Sequence, residues 1–90
     1  MKIDIKKIDN DNFEVKVSSR TSTLHKVNLN DNIYIKMTNK KISKLKLIDL
    51  SFEFLLKREP NTSILPAFKL SIINNYFPEF ENEITIKIKE

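Results

Sequence analysis

Apolar and polar positions alternate at the start of the chain and recur at helical spacing in its middle. Ile3 and Ile5 share one face of a strand over residues 2–6, and Ile8 falls out of that register, so the strand ends or bulges there. Asp9-Asn10-Asp11-Asn12 is a turn by composition. Phe13, Val15 and Val17 alternate with Glu14 and Lys16, the pattern of a half-buried strand. Ser18 to Ser22 is a second turn, and Thr23 to Leu29 is a third strand with His25, Val27 and Leu29 on one side. These strands predict an antiparallel meander. The stretch Ile33-Tyr34-Ile35-Lys36-Met37 reads two ways. Its alternation argues strand; Asp31 as an N-cap with Ile33 and Met37 four apart argues one or two helical turns, and the helix is the expectation taken.

The segment Ser43 to Arg58 is apolar on two opposite sides. At about 100° per residue, Leu45, Ile48, Phe52, Leu55 and Leu56 form one stripe, and Leu47, Leu50 and Phe54 form a second one roughly opposite. A surface helix needs one apolar face, so this helix must be covered twice. Ser43 is its expected N-cap, and Pro60 sets its end, because the residue before a proline is pushed out of helical geometry. Beyond it, Asn61-Thr62-Ser63 is a turn, and Ile64 to Phe68 is an irregular or 3₁₀ segment broken by Pro66. Ser71 is expected to cap a short helix over Ile72 to Phe77 that Pro78 ends. Ile84, Ile86 and Ile88 alternate again, which predicts a fourth strand over Glu83 to Lys89, free to join the N-terminal sheet. The expected fold is one α+β domain over residues 1–90: a small antiparallel sheet packed on one main helix, with short helices beside it. The sheet takes the Leu45/Ile48/Phe52/Leu55 stripe. The second stripe is left to residues 62–77 or to another subunit, which makes Leu47, Leu50 and Phe54 a candidate interface.

Composition removes several kinds of chemistry. There is no cysteine, hence no disulfide, thiol catalysis or Cys-ligated metal. There is no glycine, hence no Gly-rich phosphate loop or nucleophile elbow. A single His cannot build a multi-His metal site. No cofactor, metal site or catalytic group is therefore expected, and the chain reads as non-enzymatic. No apolar run approaches membrane-spanning or signal-peptide length, so the expected location is cytoplasmic, with no membrane partner.

The net charge is +4, carried by 14 Lys and only 2 Arg, beside 13 Ile, 10 Asn and one Ala. That set is encoded by AT-rich codons, so genome composition accounts for much of the basicity. The charge is nevertheless uneven: residues 1–48 hold 11 basic and 5 acidic side chains, residues 49–90 hold 5 and 7. Lys36, Lys40, Lys41, Lys44 and Lys46 follow one another with no acid between Asp31 and Asp49, a candidate phosphate-binding patch. The patch lacks Arg for bidentate readout, and Tyr34 alone is too little for base stacking. It also puts cations at the helix N-terminus, the unfavourable end.

His25 is a candidate acid, base or ligand. Its place beside Val27 and Leu29, with no carboxylate near in sequence, favours a structural histidine. Arg58 and Glu59, next to Pro60 and Asn61-Thr62-Ser63, suggest a structural tie in which Arg58 holds the following loop through its carbonyls. Asn61-Thr62-Ser63 also fits a glycosylation acceptor, discarded in the absence of a secretory signal.

The run Ser-Phe-Glu-Phe-Leu-Leu-Lys-Arg-Glu-Pro-Asn-Thr-Ser-Ile-Leu (51–65), with Phe68, Leu70 and Tyr-Phe-Pro-Glu (76–79), resembles a group of short bacterial proteins sharing a Phe-x-Phe-Leu-Leu-x-Arg-Glu-Pro core. The resemblance covers roughly a third of the chain and implies a bacterial, stand-alone domain; it carries no activity with it. From the residues themselves, the first functional expectation is a small protein-interaction or self-associating domain. The alternative is nucleic-acid binding through the Lys36–Lys46 cluster.

Overall fold

The computed structural model describes residues 1–89. Three strands come first: β1 (Lys2–Lys7), β2 (Asn12–Ser18) and β3 (Ser22–Asn28), paired antiparallel. The β1–β2 turn is closed by Asp9, whose Oδ1 accepts the backbone N–H of Asp11 and of Asn12, both at 2.9 Å. Two helices follow, α1 (Asp31–Thr38) and α2 (Lys44–Leu56). A fourth strand, β4 (Ala67–Lys69), runs parallel to β3, and the sheet order is β1-β2-β3-β4. Helices α3 (Ile73–Tyr76) and α4 (Phe80–Lys89) complete the α+β fold.

Local signals explain most of these elements. The segment after Asn30 is the expected helix, but the cap lies one residue earlier than read: the Asn30 side chain accepts from Ile33 N–H at 2.9 Å, and Asp31 sits inside the first turn. Helix α1 ends on two left-handed residues, Asn39 (φ 50°) and Lys40 (φ 62°). With no glycine available, Asn takes the first, where its type is tolerated, and Lys takes the second at a cost of roughly 1–2 kcal/mol. Ser43 caps α2 as expected, accepting from Lys46 N–H at 3.1 Å. Helix α2 ends at Leu56, two residues before the predicted Arg58.

Helix α2 lies between two covers. On one side is the apolar face of the sheet, where Phe52 packs 5.5 Å from His25 and 6.1 Å from Phe68, centroid to centroid. On the other, Phe54 meets Phe77 at 5.8 Å and Phe80 at 5.1 Å, both edge-on. Ile48 and Leu55 are buried, whereas Leu45 is largely exposed. Ser51, which belongs to neither apolar stripe, is fully buried and is satisfied by donating to the Leu47 carbonyl at 2.7 Å. The sheet's other face, with Lys6, Glu14, Lys16 and Lys26 among its side chains, is open to solvent or only partly covered.

Three expectations fail. Residues 83–89 are not a strand; they belong to α4. Phe80, Ile84 and Ile88 recur every fourth residue, and the structure uses that stripe: Phe80 and Ile84 are buried, Ile88 half-buried, and Ile86 is 59% exposed. Charge agrees with the helix, with Glu81 and Glu83 in its first turn and Lys87 and Lys89 in its last. The fourth strand is instead Ala67–Lys69, inside the segment read as irregular; the 3₁₀ turn lies earlier, at Asn61–Ser63. Ser71 is not a cap. It sits within a 3₁₀ turn, Leu70–Ile72, that runs directly into α3.

Candidate functional site

The candidate interface of Leu47, Leu50 and Phe54 is not a surface. Leu47 is fully buried, Phe54 is 6% exposed and Leu50 is half-buried. The chain covers the second stripe itself, through Phe77 and α4. Arg58 seals that contact. Its guanidinium lies 3.6 Å over the Phe54 ring, Nη1 donates to the Phe54 carbonyl at 3.0 Å, Nε donates to Glu79 at 3.4 Å and Nη2 pairs with Glu83. So Arg58 ties the end of α2 to the start of α4, not to the loop that follows it, and Glu59 takes no part.

The loop is tied by residues that sequence reasoning did not single out for this work. Asn61 is buried, and its Nδ2 donates to the Thr21 carbonyl at 2.7 Å and to Thr23 Oγ1 at 3.0 Å. His25 Nδ1 lies 2.8 Å from the Leu65 carbonyl, and Nε2 lies 2.8 Å from Thr23 Oγ1. A carbonyl only accepts, so Nδ1 carries a proton, and Thr23 can donate to Nε2 while accepting from Asn61. Both ring nitrogens are occupied, which is the structural histidine expected. Together His25 and Asn61 pin residues 61–65 against β3. An Asn-Thr-Ser triplet gives no sign of partners forty residues away.

The five lysines are not equivalent: Lys36, Lys40, Lys41 and Lys46 are exposed, and Lys44 is half-buried. Lys44 is an internal tie: its Nζ sits 2.8 Å from Asp31 Oδ1, 3.3 Å from Asp11 Oδ1 and 2.8 Å from the Asn10 carbonyl. Two carboxylates thus offset the wrong-signed charge at the N-terminus of α2. Lys46 reaches Asp49 at 3.9 Å. Lys40 and Lys44 line a depression with Lys7, while Lys36 and Lys41 line a different one with Lys89.

This tie has a pH signature. The hydrogen bond from Lys44 holds Asp31 below the usual carboxylate value of 3.8, and the side-chain hydrogen bond from Asn12 does the same for Asp9. Burial pulls Lys44 down, but its hydrogen bonds to Asp31 and Asp11 outweigh that and raise it above 10.5. A lowered carboxylate contributes stability that is present above 3.8 and lost as pH falls through its folded value. The raised lysine contributes below 10.5 and loses that contribution as pH rises through its folded value. The melting difference between the parent and Lys44→Met is therefore expected to stay constant near neutral pH and to close as pH falls below 3.8 and through the lowered folded-state value of Asp31. A difference that persists at low pH would place the effect in packing of the lysine stem.

One apolar groove opens at the edge of the sheet, with a volume of about 250 Å³. Its walls are Leu55 from the end of α2, Ile64 and Leu65 from the pinned loop, Phe68 from β4, and Ile73 and Tyr76 from α3. Leu65 is 42% and Tyr76 64% exposed. Glu59 supplies the charged group in the wall, and among the described residues it makes no ion pair and no side-chain hydrogen bond. Among the described residues, no group of three His, Cys, Asp or Glu could hold a metal ion, and no helix is long and apolar enough to cross a membrane. The chain matches no protein-family model, no curated protein and no solved structure.

Proposed function

We propose that this chain is a small non-enzymatic interaction module that docks a protein partner in the groove between β4, α3 and the end of α2. The observation that carries the reading is the apolar wall left open to solvent, with Leu65 and Tyr76 exposed beside buried Leu55 and Ile64. Large apolar side chains gathered around a concave surface favour a ligand that brings apolar area of its own. The wall is also held in place: Asn61 and His25 fix the loop that forms one side, so little ordering is needed on binding.

A photo-crosslinking residue placed at Tyr76 in the full chain tests this in a lysate of the source cells. The expected result is a discrete adduct that Leu65→Asp abolishes and that the same probe at exposed Leu24 or Ile86 does not give. Equal labelling from all three positions would mean generic surface adhesion, and the groove would lose its role.

Phosphate binding is the second reading, supported by the exposure of Lys36, Lys40 and Lys41. Three phosphate contacts imply a slope of log K against log salt of roughly −3 for duplex DNA, abolished when all three become Glu. No retention of a random duplex at about 50 mM salt removes this reading.

A further inference from the structure

We infer that the groove takes an extended segment of a partner protein, one carrying a large apolar side chain and a lysine or arginine within two residues of it. The inference rests on reading the groove as the docking site, and it names the chemistry of the occupant.

Size comes first. A groove of about 250 Å³ falls below the ~300–1,000 Å³ usual for cofactor-sized or drug-sized ligands. It suits one or two side chains, the anchor of a peptide.

Charge comes second. Arg58, the cation adjacent to Glu59 in sequence, is turned into Glu79 and Glu83 and stacked on Phe54. Glu59 is thus a half-buried acidic residue lining the groove, with no cation partner among the described residues. A carboxylate so placed gains a charge-assisted hydrogen bond from an incoming ammonium or guanidinium, and it repels an acidic segment.

Backbone comes third. The Pro66 carbonyl accepts from Lys26 N–H at 2.8 Å, so its hydrogen-bonding side faces β3. Strand groups alternate in direction, which turns the N–H and C=O of Ala67 and Lys69 outward, at the free edge of the sheet. A segment added at that edge places alternate side chains on the face that Phe68 occupies, and Phe68 lines the groove. Extended backbone therefore fits better than a helix. Three residues of β4 offer few backbone bonds, so the anchor and its neighbouring cation carry the selectivity.

A second copy of this chain is the less suited occupant. Its lysine-flanked edge strand is β1, but Ile3 and Ile5 are packed against their own core, and the exposed Met1 and Ile8, beside Lys2 and Lys7, lie outside the extended strand.

The test is selection of a seven-residue peptide library displayed on phage, run on the full-length parent and on Glu59→Lys. The parent is expected to enrich peptides with a large apolar residue and a Lys or Arg within two positions, and Glu59→Lys to enrich the same anchor beside Asp or Glu. Each enriched peptide, made synthetically, is expected to bind the other protein at least about tenfold more weakly by fluorescence anisotropy. Leu65→Asp is expected to lose both classes; if it does not fold, Tyr76→Ala, at a more exposed position, serves instead. Apolar peptides with no preference for basic neighbours, or a preference that Glu59→Lys leaves unchanged, would overturn the inference and leave the groove as a docking site. Peptides that neither groove variant weakens would overturn both. A concentration-dependent dimer that Leu65→Asp dissolves would make a second copy the occupant and overturn the inference.

Discussion

Leu47→Asp is expected to unfold the chain. Leu47 lies on the second apolar stripe of α2 and is fully buried. The substitution removes most of a buried leucine and leaves a carboxylate without water or a cation. Truncating a core leucine costs roughly 2–5 kcal/mol, and an unpaired buried charge adds several more. The total reaches or exceeds the roughly 5–13 kcal/mol of net stability usual for 90 residues. Phe54→Glu is a weaker test of the same face, because Arg58 already lies over that ring and would partly neutralise the new carboxylate. Far-ultraviolet circular dichroism at about 25 °C measures the outcome. A Leu47→Asp protein with the parent's spectrum and a cooperative melt would mean that the stripe is exposed.

Phe52→Ala is expected to cost about 3–5 kcal/mol by denaturant titration with an unchanged slope. Phe52 is fully buried, and its ring bridges His25 on β3 and Phe68 on β4. It is therefore the contact through which α2 holds the parallel strand that the groove is built on. The pocket left by its ring has buried neighbours on every side that cannot all collapse inward, which puts the cost toward the upper part of that range. A loss under about 1 kcal/mol would mean that Phe52 does not face the sheet.

The double stripe on α2 was the most legible feature of the sequence, because both stripes follow directly from helical period. It announced two covers, and the structure has two. What the sequence could not decide was which segment supplies the second. Phe80, Ile84, Ile86 and Ile88 satisfy a period of two and a period of four at once. Only packing chooses between them, and the choice turns on Phe80, which lies between the helix end set at Pro78 and the strand expected from Glu83 and belonged to neither. Strand β4 was illegible for a different reason. It is three residues long and follows a proline, and its partner β3 lies about forty residues away, so no local pattern marks it. The groove was hidden with it: its walls come from α2, the pinned loop, β4 and α3, which no local pattern brings together, and β4 had been read as irregular. Lys44 shows a further limit. In sequence it is one of five equivalent lysines; in the fold Asp11 and Asp31 make it a tie.

The chain covers both apolar sides of α2 by itself, and the docking site proposed above is the groove, not the second stripe. Isotope-filtered nuclear Overhauser spectroscopy on a mixture of labelled and unlabelled protein at about 100 μM tests that covering most directly. The account predicts contacts from the Phe54 ring to Phe77 and Phe80 within one chain and none between chains. Contacts between chains at Leu47 or Phe54 would contradict it and make that stripe a subunit interface.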